Sequence, residues 1–362
     1  MSAKKVIPAV LATVVLGGLV LAFFDLRPEE LSAGVLERLR DLHAGPLALA
    51  FVVYLASYFG RAIRFAVLLP GLHGLVHLAS IAGRHNFLNL VLPFRSGELA
   101  LPLMLKKEHG RSLAEGSAAL VVARVLDLLC VAAWLTTGLL LRGVEEGGAR
   151  AETIPRAAAL AAVLAGGLFV MGPICRWLSP RLEVAGEPHG LRGKVQDFAH
   201  RTTLHMGALT RGRLALAAVV SLGTWALTYA TYYFMLRAMA GPDPVGQELG
   251  AIDFTRSLVG TTGLHLSTVL PVNTLGGLGS WELGWVSGYV LLADLGEEAA
   301  GVSAVVTHLV NFVFITIIGG LGFLLRKRPD AAAAGDGAPG GTPGGEAGDA
   351  PGGPAGAAPG GA

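Results

Sequence analysis

Apolar residues gather along this chain in long blocks separated by short charged stretches. The blocks fall at about 6–24, 46–69, 76–105, 113–141, 154–174, 214–239, 253–297 and 300–325. A helix crosses a bilayer with about twenty apolar residues, so most blocks predict one membrane-spanning helix each. Two do not. Residues 76–105 and 253–297 are interrupted near their middle by Pro and Gly. The second arm of the first, about 96–105, has about half the length a span needs before Lys106. A re-entrant helical hairpin fits better there than two full crossings. The pattern predicts an all-α fold: a polytopic membrane helix bundle with inverted halves, about 46–141 and 214–325. It would hold about six full spans and two Pro/Gly-broken hairpins, with eight or more full spans as the alternative.

Composition agrees. Of 362 residues 52% are hydrophobic and 15% charged, against roughly a quarter charged in soluble domains. After "LLRKRPD" the chain becomes almost wholly Ala, Gly and Pro. Residues 330–362 are expected to be a disordered cytoplasmic tail behind a membrane domain of 1–329. The first block follows Lys4 and Lys5 as a secretory signal would. It has the length of a span and no A-x-A site before "RPEE", so an uncleaved first helix is expected. Ten His and two Cys show no metal-ligand spacing. Cys130 and Cys175 are expected as core thiols, and no metal or cofactor is expected.

Basic residues orient the chain. Lys4, Lys5, Arg61, Arg64, Lys106, Lys107, Arg111, the basic loop 175–213 and Arg326, Lys327 and Arg328 mark the cytoplasmic side. Glu145, Glu146, Glu152, Asp243, Glu248, Glu297 and Glu298 mark the exterior. Both termini fall inside. One interrupted block then enters from the cytoplasm and the other from outside.

The interruptions echo each other: "LPFRSGEL" at 92–99 and "LPVNTLGGLGSWEL" at 270–283. Leu-Pro ends a helix. Ser96 and Ser280 suit an N-cap for the next one, and Glu98 and Glu282 suit its positive end. Inverted halves with broken apolar segments point to a transporter-type site near the midplane. Two helix N-termini there would offer free N–H groups to an anion such as phosphate.

The stretch "NFLNLVLPFRSGELALPLMLKKEHGRSLAEGSAALVVARVLDLL" (86–129) resembles the hallmark of the flippase-like integral membrane family. That family includes the transmembrane portion of lysylphosphatidylglycerol synthases and stand-alone proteins. "LPVNTLGGLGSWELG" (270–284) is similar to its second block. The resemblance covers roughly 40–325 and implies a multi-helix bundle associated with moving lipids between leaflets. The synthases carry a soluble aminoacyl-transfer domain after the membrane part. This chain continues into its Ala/Gly/Pro tail instead, so lysyl transfer is not expected.

The candidate substrate-binding residues are Arg95, Ser96, Glu98, Ser280, Glu282, Asn86, Asn89 and Asn273. Arg95 and Glu98 read either as a pair gripping substrate or as one neutralising itself. Glu282, beside Trp281, reads as a proton carrier or lipid-amine contact, or as a carboxylate bonded to helix-start N–H groups. Arg124 and Asp127 share a helix face and are expected as a supporting ion pair. Arg61 and Arg64, near the cytoplasmic boundary, are candidate lipid-phosphate contacts that snorkel outward. His265, His308 and Asn311 fit interhelical hydrogen bonds. "GGLGS" lacks the Lys of a P-loop, no nucleophile elbow appears, and no nucleic acid is implied. These features predict a non-enzymatic protein of the bacterial inner membrane that binds or moves an anionic phospholipid or polyprenyl-phosphate lipid. The alternative is a scaffold or regulatory partner of a lipid- or glycan-modifying enzyme. An integral membrane transferase is a weaker third reading.

Overall fold

Where the apolar blocks fall among the described residues they fold as helix, the one open-ended way a chain can satisfy its backbone polar groups without water. In the computed structural model the described residues form twelve α-helices and two 3-10 turns, with no strand among them. Described are residues 27–145, 153–184, 187–267 and 275–325, with Val15 and Gly18. The expected first span at 6–24, the tail at 330–362 and the segment 268–274 with Asn273 lie outside them. So does the side chain of Arg95.

Among the described residues four helices are long and apolar enough to cross a membrane: α2 (Ala44–Leu68), α5 (Leu113–Glu145), α8 (Arg211–Ala238) and α12 (Glu297–Leu324). The block at 154–174 lies within α6 (Thr153–Leu182), which carries Pro173 and Pro180. Helix α7 (Gly190–Gly207) follows it, and α1 (Pro28–Arg40) and α9 (Pro244–Ala251) are short connectors. Asp243 caps α9 by accepting a hydrogen bond from the Gly246 N–H at 2.9 Å, with Pro244 at the first helical position.

The interrupted blocks are pairs of shorter helices. In the first, α3 (Leu75–Val91) leads through a 3-10 turn (Pro93–Leu99) into α4 (Ala100–His109). In the second, α10 (Phe254–Ser267) and α11 (Ser280–Ala293) flank a 3-10 turn at Leu275–Gly277. At about 1.5 Å per residue, the 14-residue helices α10 and α11 rise about 21 Å, short of the roughly 30 Å of a hydrocarbon core. The ten-residue α4 is shorter still.

Packing exchanges elements between the halves. Helix α2 lies on α8. The first hairpin's α3 packs on α12, while its α4 packs on α5. The second hairpin's α10 packs on α5, while its α11 packs on α12. Swapping the two halves reproduces the same set of contacts. Small residues bring the helices together, as in membrane bundles. A Cβ at Gly263 would sit 2.5 Å from the Gly284 carbonyl, and one at Gly288 would overlap the Gly260 carbonyl. Helices α3 and α12 are antiparallel, with Gly322 against Ser80 and Arg84 and Gly319 against Phe87. The C-terminal end of α3, where the first tip begins, therefore runs toward the part of α12 that carries Asn311 and His308.

Candidate functional site

The two hairpin tips repeat one arrangement. Glu98, in the first tip, is bonded by the Arg124 guanidinium of α5, 26 positions later. Glu282, in the first turn of α11, meets His308 Nδ1 of α12 at 2.6 Å, again 26 positions later. Three residues further on stands Asp127 in one helix and Asn311 in the other, both buried. Each carboxylate is thus tied to the long helix that follows its own hairpin.

Around the first tip the charges are permanent. Asp127 accepts from Arg64 Nη1 at 2.5 Å and from the Trp225 indole N–H at 2.9 Å, with Arg124 Nη1 at 3.4 Å. Arg64 Nη1 also lies 3.3 Å from Ser221 Oγ. The chain Glu98–Arg124–Asp127–Arg64 alternates in sign and balances. His85 Nε2 lies 3.6 Å from Glu98 Oε2 and 3.2 Å from Asn89 Nδ2. One buried oxygen of Glu98 and the Asn89 carbonyl oxygen are left without hydrogen bonds.

Arg61 differs from every other interior cation. It sits on α2 about 10 Å before the helix end. Its guanidinium lies 5.7 Å from the centre of the Tyr58 ring, and its buried Nε makes no hydrogen bond. Among the described residues no carboxylate stands within ion-pair distance of it, and it lies close enough to Tyr58, Tyr232, His85, His265 and Asp127 for its charge to be felt there. Beside it, Asn86 Nδ2 donates to the Tyr58 hydroxyl at 3.0 Å, and Tyr58 donates to the Tyr54 hydroxyl at 3.2 Å. The Tyr54 proton ends that relay.

At the second tip, Gly276, Gly277 and Gly279 all have positive φ, of 63°, 83° and 85°. Left-handed backbone of this kind is costly for any residue with a side chain. The turn brings the Gly276 carbonyl to 3.0 Å from His308 Nε2 and the Gly279 N–H to 2.6 Å from Glu282 Oε2. The Trp281 indole stacks on the His308 ring at 4.6 Å.

Several expectations need correction. Neither serine is an N-cap. Ser96 lies inside a 3-10 turn that runs straight into α4. Gly279 caps α11, and Ser280 Oγ donates instead to the Gly277 carbonyl at 3.0 Å. The start of α11 is no open anion site, since Glu282 already takes the Gly279 N–H. Glu98 is bonded by Arg124 across the helix interface, while the expected Arg95 partner lies outside the described side chains. Arg64 does not snorkel outward: it is 3% exposed and held by Asp127, because a buried guanidinium needs a counter-charge. Arg124 and Asp127 do touch, but each has a closer partner elsewhere.

Sequence reading passed over Glu108. Arg84 grips it with two bonds of 2.7 and 2.8 Å, and His77 Nε2 lies 3.1 Å away. This pair staples α3 to α4. It also passed over His308 as the partner of Glu282, although counting 26 residues from each Glu finds a polar residue both times. The two Cys are free and buried. Among the described residues no three His, Cys, Asp or Glu side chains converge as a metal set.

Comparison with known proteins bears on the whole bundle. The family profile described as "Lysylphosphatidylglycerol synthase TM region" matches residues 9–319. A curated relative named Glycosyltransferase AglD, from Haloferax volcanii, is 27% identical over 354 residues, which cover 88% of this chain and 54% of that protein. The chain therefore spans about half the length of the curated relative it matches.

Proposed function

From the premise that this chain belongs to the lysylphosphatidylglycerol synthase TM region family, we propose that it binds an anionic lipid headgroup inside its bundle and carries it between leaflets. The substrate class is a phospholipid or polyprenyl-phosphate lipid. In this reading α3–α4 and α10–α11 are re-entrant hairpins inserted from opposite sides, in a bacterial inner membrane with both termini cytoplasmic. The protein performs no covalent chemistry.

Arg61 carries the reading. A lone charge at membrane depth costs roughly 2.5–3.5 kcal/mol on insertion scales, and the described arginines beside it, Arg64 and Arg124, are paired. A phosphate would supply the missing counter-charge, as guanidinium and phosphate match in geometry. The Tyr54 hydroxyl would donate a further hydrogen bond while the acyl tails stay in lipid. Purified protein in liposomes should speed leaflet exchange of fluorescent anionic lipids, and Arg61→Ala should remove the gain. No acceleration with either lipid class would overturn this reading.

A second reading follows from the name of the relative, a glycosyltransferase. The bundle would then be a membrane partner that holds a lipid for a glycan-modifying enzyme without transporting it. Headgroup binding that depends on Arg61, without leaflet exchange, would favour it.

A further inference from the structure

Both ring nitrogens of His308 face oxygen. Nε2 faces the Gly276 carbonyl at 3.0 Å, which only accepts, so Nε2 carries a proton. Nδ1 faces Glu282 Oε1 at 2.6 Å. A bond that short needs a second proton between the two atoms, on the ring or on the carboxyl group. Without it, two lone pairs would meet in a buried site, where an unmade hydrogen bond is expensive. The side chains are 5% and 13% exposed, so water cannot readily take its place. Trp281 stacks on the ring at 4.6 Å and closes that side of it.

We infer that Glu282 and His308 form a proton-binding site whose occupied state latches the second hairpin tip to α12. Loss of that proton to solvent leaves the ring one N–H for two acceptors, so His308 can hold Glu282 or the Gly276 carbonyl but not both, and the tip is released. The first tip has no such freedom, because Arg124 keeps its charge at any physiological pH. One half would be a fixed anchor and the other a proton-sensitive gate. The proton site stands on its own geometry; that it gates lipid movement rests on the function proposed above.

The charged and titratable groups on the helices against α12 are engaged elsewhere. On α3, His77 and Arg84 turn to Glu108 and His85 to Glu98. On α1, Arg38 holds Asp243, and on α9 Glu248 accepts the Gly296 N–H. On α8, Arg237 bonds the Gly250 carbonyl and Tyr232 lies against Trp281. On α11, Tyr289 bonds Ser257 and Thr261. Among the described residues, Glu282 alone lies within ion-pair distance of His308.

The test uses the full chain with Cys130→Ala and Cys175→Ala, carrying Ser280→Cys as a reporter on the second tip. Maleimide labelling in liposomes is followed from about pH 5 to about pH 8, where an imidazole titrates. Each rate is normalised to the unfolded chain at the same pH. Labelling should rise with pH by up to about tenfold per unit, the limit for one linked proton. Glu282→Gln should label slowly throughout, since its amide N–H can meet the Nδ1 lone pair permanently. His308→Gln, which lacks the ring, should label fast throughout. A flat profile with the native pair, or a pH response that survives in either variant that folds, overturns the inference. Labelling needs no lipid transport. Loss of the pH response with leaflet exchange intact therefore sinks the proton site alone, and the converse result sinks the carrier reading alone.

Discussion

The two hairpin tips use the same spacing for different chemistry. Glu98 reaches an arginine and Glu282 a histidine, and the residue one turn beyond is Asp127 in the first case and Asn311 in the second. The first tip is held by charges that cancel without any proton, so its geometry should change little with pH. The second holds its carboxylate with a ring whose charge is optional. The same spacing thus ties one tip through a permanent charge and the other through a ring that can take or lose a proton.

The largest effect is expected where the first site is broken from inside. Asp127→Ala leaves Arg64 buried without a counter-charge, which typically costs about 3–5 kcal/mol. A large fall in unfolding temperature in detergent, or loss of folded yield, checks this. Asn311→Ala, at the matching place in the second half, should cost far less because it unpairs no charge. Similar losses at both positions would break the contrast.

Next is Arg61→Ala. With no ion pair to lose, it should leave thermal stability nearly unchanged while lowering leaflet exchange at least about tenfold, the equivalent of about 1.4 kcal/mol. A large drop in stability with exchange retained would reassign Arg61 to the scaffold. Glu98→Gln comes third. Arg124 is 45% exposed on its side chain and keeps Asp127 at 3.4 Å as a counter-charge, so the loss should be about 1 kcal/mol or less. Denaturant titration would resolve it.

The smallest effect sharpens the comparison from outside the membrane. Burial opposes the charged form of Asp243, but the Gly246 N–H and Arg38 outweigh it and hold its carboxyl below the usual carboxylate range. A depressed folded value adds stability above the unfolded value, about 3.9, that is lost as pH falls through the folded one. Thermal stability should therefore sag below about pH 4, and less so in Asp243→Asn, which keeps an acceptor for the cap. That acid loss lies well below the range in which the second tip responds, so the two are separable in one pH series.

Much of the architecture was legible in the chain. Helical blocks, the breaks that split two of them into shorter helices and the likeness of "SGEL" to "SWEL" come from local constraints: apolar length, Pro and Gly, and helix-end charge. The pairing of charges was not. Glu98 is bound by Arg124, 26 positions along the chain. Arg64 looks like a boundary residue and is buried on Asp127. Glu108 sits in a basic stretch that reads as surface, and it is clasped by Arg84 and His77. In each case the partner lies on another helix, and no local pattern encodes which face of a helix meets which neighbour.

The sequence by itself determined that this is a multi-pass helical membrane protein of a recognisable family, because apolar run length and backbone hydrogen-bonding need leave a chain in lipid few options. Only the tertiary structure decided which arginine stays without a counter-charge and which carboxylate meets a titratable ring. Both depend on helix rotation and contact between the halves, where a turn of one residue, about 100° on an α-helix, changes every partner.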